Sequence, residues 1–289
     1  MSLSNPAKPS ATDQIDPAFV CDFRAYDDPD SDSQRWSTWL EVEPLCRGPE
    51  PRPDWVVTDR AAIDTELGVL KTGKEADVFL LERAVERGPS VVMAAKRYRS
   101  PEHSDFHRST AYTEGRRARN SRDTRAVARR SAFGRSVAAA QWATAEWNSL
   151  KTCWSLGLPV PYPVQIDGTE LLMEWIRGED QHTAPRLAQT RPPPARLSAY
   201  FDQLVESMTT MARHGIAHGD LSAYNLLAAG ERLVIIDLPQ VVDVVGNPRG
   251  PDLLLRDCVN ICAWFRRQGL EHRLADEHAL FAELISTIC

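Results

Sequence analysis

The chain has 289 residues and a formal net charge of −6, with 43% hydrophobic and 26% charged residues. This balance is typical of a globular protein rather than of a disordered or membrane one, and the acidic charge argues against broad nucleic-acid affinity of the whole chain. No run of about eighteen apolar residues occurs and residues 1–6 lack a signal-peptide pattern, so we expect a cytoplasmic protein with no membrane contact.

The first 55 residues are rich in Pro, Ser and Asp and show little periodicity, which predicts a largely extended or disordered arm at 1–55. The exception would be a short helix docked on the folded part of the chain. Its residues would be Trp36, Trp39, Leu40 and Val42.

Strand patterns take over after the arm. Three apolar runs separated by turn residues predict strands at 66–70, 78–81 and 91–96. Lys96 ends the third run, where a strand lysine could reach the α- and β-phosphates of a nucleotide. The alternative is an ordinary surface lysine on an edge strand.

The turn between the first two strands contains Gly68-x4-Gly73-Lys74, which is close to a Walker A phosphate loop. Glu75 stands where that loop needs Ser or Thr to bind Mg²⁺, and a strand follows instead of a helix. We therefore reject the Walker reading and expect a two-stranded flap that covers phosphates.

The stretch 101–135 is dense in arginine, with nine arginines against four acidic residues and hence a net charge of about +5. One interpretation is a solvated loop or helix. The other is a contact for RNA or another polyanion, with an affinity that falls as salt is raised.

A long helix is predicted from about 136 to 154, ended by Gly157 and Pro159. Glu146 on this helix is a candidate partner for Lys96, although a single helix Glu is usually a solvated charge. The strand at 171–176 then resembles a crossing between two lobes. Backbone groups of Glu174 and Trp175 could bind adenine there, or the segment is an ordinary strand and turn.

The C-terminal half predicts helices at about 194–211, 252–268 and 276–288. Between the first two, a hairpin around Gly230 places Asn225 and Asp237 at the ends of its paired strands. The six cysteines form no Cys-x-x-Cys pair, which predicts reduced thiols, with Cys258 and Cys262 buried in a helix rather than binding metal.

The loop from His218 to Asn225 carries the chemistry. Phosphoryl transfer needs hard oxygen ligands for a divalent metal beside the phosphates, which Asn225 and Asp237 would supply. Asp220, five residues before Asn225, would face the attacking hydroxyl and accept or orient its proton. This order and spacing of two carboxylates and a carboxamide predict a phosphotransferase.

Taken together, the motifs of the chain resemble the RIO family of atypical serine/threonine protein kinases, and within it the RIO1 branch, over about residues 60–270. The residues that carry this resemblance are Thr72-Gly73-Lys74-Glu75-Ala76, Ala94-x-Lys96-x-Tyr98, Trp142 with Glu146 and Leu150, Met173-Glu174-x-Ile176, His218-Gly219-Asp220-Leu221-Ser222-x-Tyr224-Asn225, Ile236-Asp237-x-x-Gln240 and Leu255-Arg256-x-Cys258-x-Asn260. The family includes bacterial members, and Leu238-Pro239 departs from its usual residues.

The resemblance implies an α+β, bilobal, protein-kinase-like fold. A small β-rich N-lobe at 56–175 would contain the arginine-rich insertion 101–135, and a reduced, mostly helical C-lobe without an activation segment would occupy 176–289. Asp220 would be the catalytic Asp, Lys96 would hold phosphates and Glu146 would position Lys96.

By the same resemblance, Asn225 and Asp237 would bind metal. Asp237 could also take the phosphoryl group in an ATPase cycle. The expected cofactors are ATP and Mg²⁺, with Mn²⁺ as a substitute, and the expected partners are an unidentified protein substrate and, through 101–135, RNA or a ribosomal particle. The residues expected to contact the nucleotide are Lys71, Thr72, Gly73, Lys74, Glu75, Val78, Ala94, Lys96, Met173, Glu174, Ile176, Leu227 and Ile236.

Two other functions stay open. Aminoglycoside-type small-molecule kinases share the His-Gly-Asp-x4-Asn loop, but their substrate-binding half needs more chain than follows Asp237 here; phosphorylation of an antibiotic would favour them. A nucleotide-gated RNA- or ribosome-binding module with little turnover would show RNA binding that depends on nucleotide yet survives Asp220→Asn.

Overall fold

The computed structural model describes residues 33–99 and 132–288. Its N-terminal part, the N-lobe, is an antiparallel six-stranded sheet in the order β1-β2-β3-β4-β6-β5. Helix α1 packs against β4, β5 and β6. The bounds of these elements are β1 Gln34–Trp36, β2 Ile63–Thr72, β3 Ala76–Ala84, β4 Ser90–Tyr98, α1 Ala132–Ser155, β5 Pro163–Asp167 and β6 Glu170–Glu174.

The C-terminal part, the C-lobe, consists of three helices and two small antiparallel pairs of strands. Strands β8 and β9 form the predicted hairpin, and β7 pairs with β10. The bounds are α2 Pro194–Arg213, β7 Ile216–Ala217, β8 Leu226–Ala229, β9 Arg232–Ile235, β10 Val242–Asp243, α3 Gly250–Arg267 and α4 Glu277–Thr287.

Helix α2 shows why the C-lobe folds as it does. Leu197, Phe201, Leu204, Met208 and Met211 recur every three or four residues and are all buried, so they form one apolar stripe. Pro194 opens the helix, where its fixed φ and missing N–H cost nothing. The stripe packs into a core that continues through α3 and α4 and into α1 and β6.

Strand alternation gives the N-lobe sheet two different faces. Met93 and Ala95 of β4 point to an outer face, where they join a buried cluster with Leu172. Lys96 and Tyr98 alternate with these residues along the strand and therefore point to the inner face, towards α1. The alternation of this one strand therefore decides which side chains reach the cleft.

The N-terminal arm is shorter than predicted. Residues 33–55 are part of the N-lobe: Trp36 lies in β1 rather than in a helix, and Trp39 is only 3% exposed, in a single 3₁₀ turn. Long-range contacts, which composition does not reveal, order this segment. The remainder of the arm, 1–32, lies outside the described residues.

The other predicted elements are confirmed within a few residues, except that α1 begins at Ala132 rather than near 136. Most of the arginine-rich stretch 101–135 lies outside the described residues. Cys258 and Cys262 are free and completely buried in α3, as predicted. Among the helices in the described ranges, none has the length and apolar character needed to cross a bilayer.

Candidate active site

A lysine held by two carboxylates lies where the two lobes meet. The Lys96 Nζ is 2.7 Å from Glu146 Oε1 and 2.8 Å from Asp237 Oδ1. Burial opposes the charge of Lys96, but the carboxylates of Asp237 and Glu146 raise its pKa well above the usual value. Lys96 is therefore fully protonated and links β4, α1 and the end of β9.

Tyr98 forms a hydrogen bond with the second carboxylate oxygen of Glu146. Its hydroxyl donates to Glu146 Oε2 at 2.5 Å, and its side chain is buried beside Lys96. Burial, reinforced by the Glu146 charge, raises the pKa of Tyr98 well above its usual range, so the hydroxyl stays a donor. Both oxygens of Glu146 are thus fixed by side chains of β4.

Asp237 is presented by an unusual backbone. Its φ of +66° lies in the left-handed region, which Asp tolerates better than most residues but still at a cost of about 1 kcal/mol or more. This conformation turns the side chain towards Lys96, whose charge lowers the pKa of Asp237 to about 2. Asp237 is therefore an anionic, half-exposed carboxylate at neutral pH.

Helix α3 holds the loop 218–225, here called the catalytic loop after its predicted role, by its backbone. Asp257, which is 1% exposed, accepts the N–H groups of Gly219 at 2.8 Å and Leu221 at 2.7 Å, on either side of Asp220. Arg256 donates to the Gly219 carbonyl, and its guanidinium lies 3.8 Å from the Asp220 carboxylate. The loop is consequently fixed to α3, with the Asp220 side chain still 39% exposed.

Two further contacts connect Asp220 to the other candidate residues. Asn225 Nδ2 donates to the Asp220 carbonyl at 2.9 Å. The buried His218 accepts the Asp220 N–H at Nδ1, so its Nε2 carries the proton and donates to the Ile236 carbonyl at 3.2 Å. The Ile236 N–H in turn donates to Asn225 O at 3.0 Å, so Asp220, Asn225 and Asp237 lie around one end of the hairpin.

Gly219 is required in this loop for two reasons. Its φ of +81° is in the left-handed region, and a Cβ there would lie 2.5 Å from the Gln240 carbonyl. Any side chain would push the catalytic loop away from the segment after Asp237. The close approach of the Gln240 carbonyl therefore explains why the His-Gly-Asp motif has glycine at this position.

The predicted flap forms at the end of β2 and start of β3. Gly73 N–H donates to Ala76 O at 3.0 Å, which closes the turn. Burial and the nearby Arg186 lower the pKa of Lys71, while the Asp237 charge raises it. Lys71 thus lies in the same electrostatic environment as Asp237, and Arg186 is a cation there that the sequence did not suggest.

Glu174, one of the two residues predicted to bind adenine through the backbone, forms two hydrogen bonds with Tyr162. The Glu174 N–H donates to Tyr162 O at 2.9 Å, and the Glu174 carboxylate accepts the Tyr162 N–H at 3.1 Å. The Glu174 N–H is therefore engaged within the N-lobe, and adenine binding by other backbone groups of Glu174 and Trp175 stays a prediction. Ile176 packs with the partly buried Leu227 and Ile236 in one apolar cluster, and their contact with a nucleotide stays a prediction.

The remaining predicted contacts follow the strands. Val78 and Ala94 belong to β3 and β4, and Met173 pairs with Ala94 across β4 and β6. Thr72, Lys74 and Glu75 lie in or beside the flap turn. The register therefore puts Ala94 and Met173 side by side, two positions before Lys96 along β4.

The donor chemistry suits a metal that arrives with phosphates. Within residues 33–99 and 132–288, no three His, Cys, Asp or Glu side chains gather into a metal site. Mg²⁺ commonly takes one or two protein oxygens and completes its shell with phosphate and water. The amide oxygen of Asn225 and the carboxylate of Asp237 would be such a pair.

Comparison with known families agrees with this geometry. A family model described as a RIO domain matches residues 86–279, more than half of the chain. This chain belongs to the RIO family. The matched RIO range includes Lys96, Glu146, Asp220, Asn225 and Asp237, and begins after β3, so the flap lies outside it.

Individual RIO relatives extend the likeness beyond the family model. The RIO-type serine/threonine-protein kinase Rio1 of Haloferax volcanii is 34% identical over 219 residues, covering 76% of this chain and 68% of the relative. The Rio1 of Methanocaldococcus jannaschii is 29% identical over 211 residues, covering 73% and 66%. This chain thus spans about two thirds of the length of these relatives.

A solved structure supports the fold. The Rio2 kinase from Chaetomium thermophilum matches with a TM-score of 0.52 at 19% identity, covering 77% of this chain and 63% of that one. Together with the sheet, α1 and the helical C-terminal part, this confirms the predicted bilobal, kinase-like α+β fold.

The sequence alone assigns no role to three residues that hold the candidate site residues in place, namely Asp257, Tyr98 and Arg256. Asp257 was not singled out, and Tyr98 and Arg256 were noted only as parts of motifs without a role. A buried Asp in the apolar face of the predicted helix 252–268 was a usable signal, because a buried carboxylate needs donors. Their actual partners lie 36 or more residues away, and only the fold identifies them.

Proposed function

We propose that this chain is an ATP- and Mg²⁺-dependent serine/threonine phosphotransferase of the RIO type. The observation that carries the proposal is Lys96, bound at once to Glu146 of α1 and to Asp237 of the C-lobe. A lysine in this position is suited to the phosphates of a nucleotide that enters between the lobes. Membership of the RIO family and the names of the Rio1 relatives support the same activity.

Each residue has a role in the proposed reaction. Lys96 would bind phosphate oxygens and Glu146 would keep its ammonium in place. Asn225 and Asp237 would hold Mg²⁺, or Mn²⁺ in its place, which neutralises charge that develops on the phosphates. Asp220, fixed by its backbone yet exposed at its carboxylate, would orient the substrate hydroxyl and accept its proton.

The phosphoryl group has two candidate acceptors. One is a serine or threonine hydroxyl, on this chain or on a protein substrate, directed by Asp220. The other is the carboxylate of Asp237, which is ionised and half exposed and so has the nucleophilic form needed for an acyl phosphate. Hydrolysis of that acyl phosphate would make the protein an ATPase.

Incubation with γ-labelled ATP and Mg²⁺ tests the activity and separates the acceptors. We expect label on the wild-type protein that is stable to hydroxylamine if Ser or Thr is modified, and labile if Asp237 is. Asp220→Asn should abolish the stable label and Asp237→Asn the labile one. Asp243→Asn, which removes an exposed carboxylate elsewhere in the C-lobe, is the matched control and should label normally.

Three results would contradict the proposal. Absence of both labelled protein and ATP hydrolysis would favour a binding module. Transfer of label to an aminoglycoside, with none to protein, would favour a small-molecule kinase. Labelling that survives both Asp220→Asn and Asp237→Asn would show that the cleft residues do not carry the reaction.

We also propose RNA or a ribosomal particle as a partner of the arginine-rich stretch 101–135. Its nine arginines stand in an otherwise acidic protein, and basic clusters bind phosphate backbones with release of counterions. We expect binding of a structured RNA that weakens at least tenfold between 50 and 200 mM salt, measured by filter binding. Binding that is absent, or unchanged when arginines of the stretch are replaced by glutamine, would contradict this.

A further inference from the structure

Residues 33–55, here called the brace, connect the two edges of the N-lobe sheet. At one edge, β1 pairs with β2. At the other edge, the Gly48 N–H donates to Val164 O of β5 at 2.8 Å, and Arg47 forms a bridge with Gln165. The brace therefore spans the whole width of the sheet, and it lies outside the matched RIO range, which begins at residue 86.

The middle of the brace is anchored by one aromatic side chain. Trp39 is 3% exposed and belongs to the buried cluster on the outer face of the sheet. The guanidinium groups of Arg47 and Arg52 lie 5.4 and 4.9 Å from its ring centre. Thr38 beside it accepts a hydrogen bond from Gln165 at 2.8 Å. These contacts fix the brace to the sheet.

One carbonyl group of the brace accepts two hydrogen bonds from helix α1. Leu45 O accepts Trp147 Nε1–H at 3.3 Å and Lys151 Nζ at 3.1 Å. These two donors stand four residues apart and so share one face of the helix. Cys46, the next brace residue, packs against the core that contains Trp147.

Trp147 directly follows Glu146 along the helix, so the two side chains project about 100° apart, Trp147 towards the brace and Glu146 towards Lys96. A helix turns as a rigid body, so a rotation that releases Trp147 from the brace also moves Glu146. The contact between Glu146 and Lys96 is 2.7 Å long and weakens steeply with displacement. We propose that the brace positions α1, through Trp147 and Lys151, so that Glu146 holds Lys96 for nucleotide binding.

Hydrogen exchange and nucleotide kinetics on the full chain test this. Trp147→Phe keeps an aromatic ring but removes the N–H donor, and combined with Lys151→Met it removes both donors to Leu45. We expect backbone amides of α1 near Glu146 to exchange about fivefold faster, and kcat/KM for ATP to fall by a similar factor, as for loss of an ordinary hydrogen bond. The ATP measurement rests on the proposed function; the exchange measurement does not.

A second variant disturbs the brace itself. A Cβ at Gly48 would lie 2.1 Å from the Pro163 carbonyl, so Gly48→Ala should displace this part of the brace from β5. We expect it to increase exchange in the same part of α1, although it leaves Trp147 and Lys151 intact. Trp264→Phe, at a similarly buried tryptophan in α3, is the matched control and should leave exchange in α1 and kcat/KM unchanged.

The outcomes decide between positioning and simple packing. Equal exchange in α1 for wild type and the double variant would overturn the proposal, as would faster exchange without any change in ATP kinetics. A wild type that turns over no ATP would overturn the proposed function, while the exchange data would still decide whether the brace holds α1.

Discussion

The Tyr98 hydroxyl makes Glu146 a bridge between two side chains of one strand. Lys96 takes one carboxylate oxygen and Tyr98 the other, at 2.7 and 2.5 Å. A carboxylate with only one partner can rotate about its last torsion, whereas one bound at both oxygens cannot. We therefore expect Tyr98 to position Lys96 through Glu146.

Tyr98→Phe tests this role with a minimal change. The variant leaves one oxygen of the buried Glu146 without its donor, which should cost about 1.5–3 kcal/mol in the free energy of unfolding, measured by urea titration. Because Glu146 then holds Lys96 less firmly, KM for ATP should rise severalfold.

Tyr200→Phe serves as the control for Tyr98→Phe. It is equally buried and also loses a hydroxyl bond, to the Gly230 carbonyl in the C-lobe. We expect Tyr200→Phe to lower stability without raising KM. Equal KM values for both variants would show that Tyr98 contributes packing and stability only.

At the scale of residues, the sequence predicts a contact best when both the residue types and their order along the chain indicate it. Lys96 and Glu146 are predicted to pair because kinases use a helix glutamate to hold a strand lysine, and the structure places the two side chains 2.7 Å apart. Asp257 could not be placed in the same way. It binds backbone N–H groups, which every residue except proline has, so no partner side chain in the sequence indicates its role.

At the scale of elements, local patterns were enough for most of the structure. The stripe of α2 and the turn at Gly230 specify their helix and hairpin through neighbouring residues alone. The hairpin then explains how Asn225 and Asp237, twelve positions apart, come to lie at one end of paired strands. The prediction that Gly68-x4-Gly73-Lys74 is not a Walker loop is confirmed, because strand β3 follows Glu75 where that loop would require a helix.

Residues 33–55 show where local patterns fail. Their composition favours disorder, yet Trp39 is buried and Gly48 binds β5 more than a hundred residues away. Such contacts depend on a finished sheet with two open edges and an uncovered face. The energy that orders the segment is therefore supplied by distant strands, which no window of sequence contains.

At the scale of the whole molecule, the cleft is joined by an ion pair between lobes. The Lys96 ammonium of the N-lobe and the Asp237 carboxylate of the C-lobe are 2.8 Å apart. Phosphates and Mg²⁺ would compete for these same two groups, since phosphate needs the cation and metal needs the anion. A bound nucleotide with Mg²⁺ would then replace the direct ion pair between Lys96 and Asp237 by a larger set of contacts through phosphate and metal.

Thermal unfolding should report this exchange of partners. A ligand at 100 times its dissociation constant adds about 2.7 kcal/mol to stability, so saturating Mg²⁺ and ATP should raise the wild-type Tm by roughly 5 to 10 °C. ATP without metal should give a smaller shift, because Lys96 must then leave Asp237 with no cation to replace it.

Asp237→Asn separates the contribution of the metal to the Tm shift from that of the phosphates. The variant removes the metal-binding charge but also frees Lys96, so the shift with ATP alone should equal or exceed that of wild type, while the increment from Mg²⁺ should disappear. Asp243→Asn should behave as wild type, since its carboxylate binds only nearby backbone N–H groups. A magnesium increment that persists in Asp237→Asn would mean that the metal binds elsewhere. Loss of the metal-free shift as well would mean that Asp237 orders the cleft rather than holding metal.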